Sequence, residues 1–373
     1  MGDREEANRT MSKHNDLSAL RHKIDEIDDQ LLSLLNRRAS LTNEVGIVKR
    51  AESEDVEFYR PEREAEILRR LVSDNSGPLT NDVLVRLMKE IISECLALEQ
   101  KLKVSYLGPL GTYTHAATLK QFGGAVTLRA SKSIDEIFRE VESCGVDYGV
   151  VPIENSVGGT IYQSLDALKE TSAFVCGEIV LAIHHQLLGA CELESAKRVY
   201  GHEQALQQCA GWLERNLNGA EQIAVSSNAV AAEIVSQSDG KDCVAIASNE
   251  AGKIYALPVV ARNIEDSASN TTRFIVLGRN YPTRSGDDKS MVMFGLPNNK
   301  AGALHAALGV LAENSINMSK IESRPSKNGV WDYLFFADLL GHANDPSMVD
   351  ALAEIKENSS IFKLLGSYPR CDV

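Results

Sequence analysis

The 373-residue chain lacks most of the features that mark familiar functional classes. Its seven cysteines (95, 144, 176, 191, 209, 243 and 371) are odd in number and form no CxxC pair. That scatter suits neither a disulfide framework nor structural zinc, and a reduced, cytoplasmic protein is expected. Positive charge is in deficit, with a formal net charge of -13. A nucleic-acid partner is therefore not expected, because phosphate binding needs a basic field. No apolar run approaches the roughly 20 residues that cross a bilayer. The first fifteen residues are charged and polar and have no signal-peptide core, so no membrane partner is expected and they are given no role. Internal repeats, low-complexity tracts, P-loops and complete GxGxxG motifs are also missing. No metal and no cofactor is expected.

What remains is ordinary for a globular protein: 43% hydrophobic and 24% charged residues. The length asks for two or three domains. Residues 16–50 carry a heptad stripe. One row reads Leu17, Ile24, Leu31, Arg38, Val45, and the other Leu20, Ile27, Leu34, Leu41, Val48. Arg38 is the one charge in it, and a guanidinium on a helix core face is costly unless paired. Lys49 follows on nearly the same face, about 16 Å along the axis. Two long cations so spaced could clamp a dianion. Arg21 lies about 25 Å from Arg38, so it serves that site only from a second, intertwined copy; otherwise it is a solvated flank. A second helix starts at Pro61, with Glu62 and Glu64 in its first turn. A third starts after Thr80 and runs to Glu99, which falls on the apolar face.

Leu20–Asp25, Asn36-Arg37-Arg38, Val45–Lys49 and Pro61–Glu64 resemble the all-helical chorismate mutases. The resemblance implies that Arg21 from the partner, Arg38 and Arg63 bind the carboxylates and ring of chorismate. Lys49 and Glu99 would approach the ether oxygen, and Glu64 the ring hydroxyl. Glu99 stands where many relatives have Gln, and a carboxyl group donates to that oxygen only when protonated. Mutase activity is thus expected to fall as pH rises. Arg60 stands where relatives are often acidic and is given no role.

After Lys101 the pattern changes to short β-branched runs, Gly-rich loops and helices, which implies an α/β domain. Polar loops follow strands at Gly108–His115, Glu154–Thr160, Gly201–Gln208 and Ser248–Gly252, and Thr271-Thr272-Arg273 opens the buried run Phe274–Gly278. Several polar strand mouths suit a shared cleft between two lobes. The run 179–183 is expected to cross between them. His184 and His185 are consecutive, so as strand residues they would point to opposite faces and could not converge on one site.

Tyr106–His115, Val151–Ser156, Gln207-Gln208-Cys209 and Thr271–Phe274 resemble prephenate dehydratase throughout residues 104–278. The resemblance implies that Thr272 donates to the departing ring hydroxyl, that Asn155 and Gln208 read the substrate prephenate, and that Arg273 holds a carboxylate or orients its loop. Gly201 replaces a Ser common in relatives. Beyond residue 288 the order βαββαβ, with a turn at Ser326–Gly329 and a helix starting near Asn298–Leu304, suggests a ferredoxin-like sandwich. Gly302-Ala303-Leu304 and Glu322-Ser323-Arg324-Pro325 resemble the phenylalanine-binding motifs of ACT regulatory domains.

Together these features resemble a bifunctional chorismate mutase–prephenate dehydratase. The resemblance implies an all-α intertwined mutase domain (14–101), a two-lobed α/β, periplasmic-binding-protein-like dehydratase domain (102–284) and an α+β ferredoxin-like ACT domain (288–370). It also implies L-phenylalanine as effector and a homodimer or higher homo-oligomer. Two alternatives stay open: an amino-acid-binding regulator with dead catalytic sites, and an active dehydratase beside a decayed mutase.

Overall fold

A computed structural model of the chain describes residues 2–52, 58–239, 242–296, 301–325 and 333–371. The expected turn at 326–329 and the segment 298–300 lie outside these. Three helices come first: α1 (Gly2–Glu52), α2 (Pro61–Asp74) and α3 (Asn81–Glu99). Pro61 opens α2, where its missing N–H costs nothing. Thr80 occupies the N-cap of α3, although its side chain makes no capping bond. Gly46 explains how α1 meets α3. A Cβ there would lie 3.0 Å from Glu99 Cγ. A mid-helix glycine costs about 1 kcal/mol against alanine, and here it lets the two helices close around that carboxyl. The stripe of α1 finds no such cover: its apolar residues from Leu17 to Val48 are 45–60% exposed.

The next lobe contains β1 (Lys103–Leu107), α4 (Tyr113–Phe122), β2 (Thr127–Ser131), α5 (Ile134–Glu142), β3 (Tyr148–Asn155), β4 (Gly159–Thr160), α6 (Tyr162–Glu170) and β5 (Phe174–Ala182). A second lobe follows: β6 (Gln186–Leu188), β7 (Arg198–His202), α7 (Glu203–Gln208), α8 (Ala210–Asn216), β8 (Glu221–Val225), α9 (Asn228–Gln237), β9 (Cys243–Ala247), α10 (Asn249–Ile254) and β10 (Val259–Ala261). The chain then returns to the first lobe as β11 (Thr271–Gly278). The sheet orders are β2-β1-β3-β11-β5, with β4 on β3, and β10-β6-β9-β7-β8. Two segments cross between lobes, 183–185 and 262–270. They are laced together by Ile183 N–H to Asn270 O (2.8 Å) and Ile264 N–H to His185 O (2.9 Å). The expected crossing at 179–183 is corrected: all but Ile183 belong to β5, whose apolar residues are committed to the sheet. Thr112, Ser227 and Ser248 accept backbone N–H bonds as helix caps, so several polar strand mouths are structural.

The last unit is β12 (Asp288–Gly295), α11 (Ala303–Glu313), β13 (Met318–Pro325), β14 (Tyr333–Leu340), α12 (Pro346–Glu357) and β15 (Ile361–Pro369). Its sheet order, β13-β14-β12-β15, is that of a ferredoxin-like sandwich. One sheet face packs Val292, Phe294 and Leu339 on Leu311, Met348 and Ile355 of its helices. The other face is not free. Met291, Met293, Phe336, Leu365 and Tyr368 share one core with Ile137, Phe138, Val151 and Ile275 of the first α/β lobe. Gly366, at φ +157°, permits this approach, because any Cβ would overlap the Val175 carbonyl oxygen. The helical unit also docks on the α/β lobe. Tyr59 packs tilted against Phe122 (5.2 Å) and edge-on against Tyr148 (5.3 Å) inside that lobe's core.

Candidate functional site

Arg38 and Arg63 face one cavity of about 330 Å³ between α1, α2 and α3, over Val45, Ile67 and Met88. Arg38 Nη1 is buried there without a hydrogen-bond acceptor. A buried unpaired guanidinium N–H is expensive, and an anion in the cavity would satisfy it. Arg70 joins them. It was not singled out from sequence, although Arg63 and Arg70 are seven apart and share a face of α2.

Lys49 and Glu99 form a separate pair farther along α1, at 3.6 Å between Nζ and Oε2. Lys49 Nζ also donates to Phe58 O at 3.3 Å. Glu99 Oε2 is buried and makes no hydrogen bond. Arg21 is exposed on α1. Arg60 pairs with Glu62 at 2.5 Å.

Glu64 departs from expectation. It is buried on the other side of α2, 3.6 Å from Lys89, in a small polar gap with Tyr59 and Gln121. Burial raises its pKa, partly opposed by Lys89. Arg63 lines the arginine cavity, while Glu64 lines the gap on the other side of α2.

The second constellation lies where the lobes meet. Thr272, 9% exposed, is the second residue of β11. Its Oγ1 accepts from Asn155 Nδ2 at 2.9 Å. That amide is fixed at its other end, because Asn155 Oδ1 accepts from Val157 N (3.1 Å) and Gly158 N (2.7 Å). Asn155 Nδ2 also donates to Asn270 Oδ1 at 2.8 Å, and Asn270 Nδ2 donates to Gln208 Oε1 at 3.0 Å. Both Asn155 and Gln208 are thus brought to Thr272, though Asn155 is spent on holding it.

Tyr113, His185 and Asn270 were missed by the sequence reading. His184 and His185 do part company, as expected. His184 Nδ1 meets Glu265 Oε1 at 2.7 Å, while His185 Nε2 meets Gln208 Oε1 at 2.9 Å. Setting aside the pair hid the single member that belongs to the site.

Arg273 is corrected. Adjacent strand residues face opposite sides, so Arg273 points away from Thr272 into the junction with the last unit. There Nε meets Glu178 Oε2 at 2.8 Å, Nη1 meets Asp338, and Nη2 meets Tyr368 OH at 3.1 Å. It holds carboxylates of the protein, not of a substrate.

The six expected effector residues also divide. Gly302 takes a left-handed φ of +82° ahead of Ala303 and Leu304, at an open start of α11. Ser323 is exposed on β13. Glu322 and Arg324 lie on the opposite strand face and engage the first α/β lobe. Glu322 accepts from Thr160 Oγ1 at 2.8 Å, and Arg324 forms a fork with Asp166 at 2.8 and 2.9 Å. The first-lobe contacts therefore occupy two of the expected phenylalanine ligands.

Among the described residues no cluster of His, Cys, Asp or Glu could hold a metal ion, and no helix is long and apolar enough to cross a membrane.

Comparison with known proteins matches each unit. Family models match as chorismate mutase type II over residues 20–100, prephenate dehydratase over 104–282 and ACT domain over 290–357. A bifunctional chorismate mutase/prephenate dehydratase of Neisseria gonorrhoeae is 46% identical, covering 94% of this chain and 96% of its own. One of Stutzerimonas stutzeri is 43% identical over 96% of this chain and 99% of its own. A prephenate dehydratase of Arthrobacter aurescens, solved in complex with L-Phe, superposes with a TM-score of 0.67 at 33% identity, over 72% of this chain and 90% of that one. With three units in the same order and full-length relatives above the threshold of chance, the chain belongs to the bifunctional chorismate mutase/prephenate dehydratase family.

Proposed function

We propose that this chain rearranges chorismate to prephenate, then decarboxylates and dehydrates prephenate to phenylpyruvate, with L-phenylalanine inhibiting through the ACT domain. The units are taken as 14–101, 102–284 and 288–370. The observation that carries the reading is the Thr272 hydroxyl, oriented by Asn155 at the cleft between the lobes of a chain that also bears the arginine cavity.

The mutase step is a concerted rearrangement and needs no nucleophile. It needs the substrate held compact and charge stabilised where it develops. Arg38 and Arg63, with Arg70, bind the carboxylates. Lys49 and Glu99 attend the ether oxygen. Arg21 comes from a second copy, and the uncovered stripe of α1 supports such a dimer: nine of its apolar side chains stand at least 45% exposed. The seven free thiols support a cytoplasmic location.

In the dehydratase step prephenate loses its ring carboxylate as carbon dioxide and its ring hydroxyl as water, and the ring becomes aromatic. The electron pair of the breaking C–C bond enters the ring and expels hydroxide. Thr272 donates a hydrogen bond to that departing oxygen, with the proton made up through solvent. Gly302, Ala303, Leu304 and Ser323 are the effector contacts best placed for phenylalanine. Glu322 and Arg324 link that region to the dehydratase.

Chorismate alone, given to purified enzyme, is expected to yield phenylpyruvate, and added phenylalanine to suppress it. Accumulation of prephenate would refute the dehydratase role of Thr272. Unconsumed chorismate would refute the mutase.

A further inference from the structure

The hydrogen bonds around Thr272 have a direction that can be deduced from one end. Asn155 Oδ1 receives two backbone N–H groups, so its amide cannot be turned round without facing donor to donor. Its Nδ2 must therefore donate, one hydrogen to the Asn270 oxygen at 2.8 Å and the other shared between Thr272 Oγ1 at 2.9 Å and Thr271 O at 3.1 Å, and Asn270 must present its oxygen to it. The Asn270 NH₂ then faces Gln208, which must present its own oxygen. That oxygen lies 2.9 Å from His185 Nε2, so Nε2 must carry a hydrogen. On the far side of the ring, Nδ1 lies 2.9 Å from the hydroxyl of Tyr113, which is also 2.9 Å from His184 O. Burial lowers the His185 pKa, in keeping with a neutral ring, and the single Tyr113 hydrogen is shared between His184 O and His185 Nδ1, both at 2.9 Å. The opposite tautomer would set the bare Nε2 against the Gln208 oxygen. Turning Gln208 to repair that would set two NH₂ groups against each other at Asn270.

At the other end, Thr272 Oγ1 accepts from Asn155, and among the described residues its own proton meets no protein acceptor. The chain of bonds thus runs from Tyr113 on α4, through both segments that cross between the lobes, to Thr272 on β11. His185 stands on one crossing segment and Asn270 on the other.

We propose that His185 is a positioning residue for the dehydration: its Nε2–H orients Gln208, Asn270 and Asn155 so that Thr272 keeps its proton for the departing hydroxyl of prephenate. The proposal rests on the reading of Thr272 given above. It does not make His185 a catalytic residue, since the imidazole touches Gln208 and Tyr113 and acts through them.

The test uses the full-length enzyme. His185→Leu removes the Nε2 donor, and His185→Gln restores an amide N–H at the same reach. His185→Leu is expected to lower dehydratase kcat about tenfold or more, the worth of one well-made buried hydrogen bond, with KM changed less than about threefold. His185→Gln is expected to recover most of kcat. Conversion of chorismate to prephenate is expected to be unchanged in both, which guards against misfolding. In enzyme labelled with [15N]histidine, His185 is expected to carry its hydrogen on Nε2. Wild-type kcat in His185→Leu, a His185→Gln variant as slow as His185→Leu, or a hydrogen on Nδ1 with Nε2 bare would each overturn the proposal. Wild-type enzyme that leaves prephenate untouched would instead remove the functional reading, and the proposal with it.

Discussion

The arginine cavity and the Thr272 site solve opposite problems. In the cavity, Arg38 Nη1 is buried with no acceptor, and in the separate pair farther along α1 Glu99 Oε2 has no hydrogen bond. At Thr272 the neighbouring amides are all engaged, and the hydroxyl is aimed by Asn155. The cavity is built from helices whose apolar stripe is bare, the cleft from two sheets with their cores filled. A site that only holds and compresses a dianion can leave a cation such as Arg38 waiting for the ligand. A site that must aim one weak donor needs every amide around it fixed beforehand.

The most damaging way to break the comparison is Thr272→Val. It should lower dehydratase kcat by about 10²–10⁴-fold and leave the chorismate-consuming rate alone, as separate assays on the two substrates would read. The contrast in completeness is sharpened by mixing two chains. Arg21→Ala and Arg38→Ala should each abolish most mutase activity. Equal mixing, with exchange of subunits, should restore about a quarter of it, because one site in each mixed dimer is intact. No recovery on mixing would place Arg21 and Arg38 in the same subunit's site or outside any site.

The junction with the ACT domain offers a third test. Asp338→Asn leaves the Arg273 guanidinium buried with one carboxylate fewer, and a loss of about 3 kcal/mol is expected. Thermal unfolding would show it, and the response of the dehydratase to phenylalanine should weaken with it. Glu178 gives the pH dependence of the same junction. Burial alone would raise its pKa, but Arg273 and Lys289 outweigh burial and hold it below the ordinary carboxylate range. A folded value below the unfolded one means the carboxylate stabilises the fold above about pH 4.3. That contribution is lost as pH falls through the folded value. Acid titration followed by near-ultraviolet dichroism should show the Asp338→Asn protein losing tertiary structure at higher pH than the wild type. The smallest effect is expected from Glu99→Gln. An amide keeps a donor where the carboxyl stood, so mutase kcat should change less than in Glu99→Ala. A Glu99→Gln variant as slow as Glu99→Ala would count against Glu99 as the donor.

Much of this was legible from the chain. Apolar spacing marks α1, and Arg38 stands out because it breaks a row of leucines and isoleucines. The buried run after Thr272 marks a strand and puts Thr272 at its mouth. These signals are local, carried by residues within two or three turns or a few strand positions. The Gly366 approach to Val175 could not be read in this way, because nothing near Gly366 in the chain says which backbone lies against it.

The sequence by itself determined the order of the three units, the strand and helix periods, and the residue types at both sites. Tertiary structure alone decided what each side chain meets. Alternation sends Thr272 and Arg273 to opposite faces, but only the docked ACT sheet makes one face a cleft and the other a buried ion cluster. Likewise His185 and Asn270 meet at Gln208 because two crossing segments, far apart in the chain, run side by side between the lobes. Periodicity is set by backbone geometry and is written locally. Hydrogen-bond partners are set by which surfaces pack together, and that is settled only when the whole core forms.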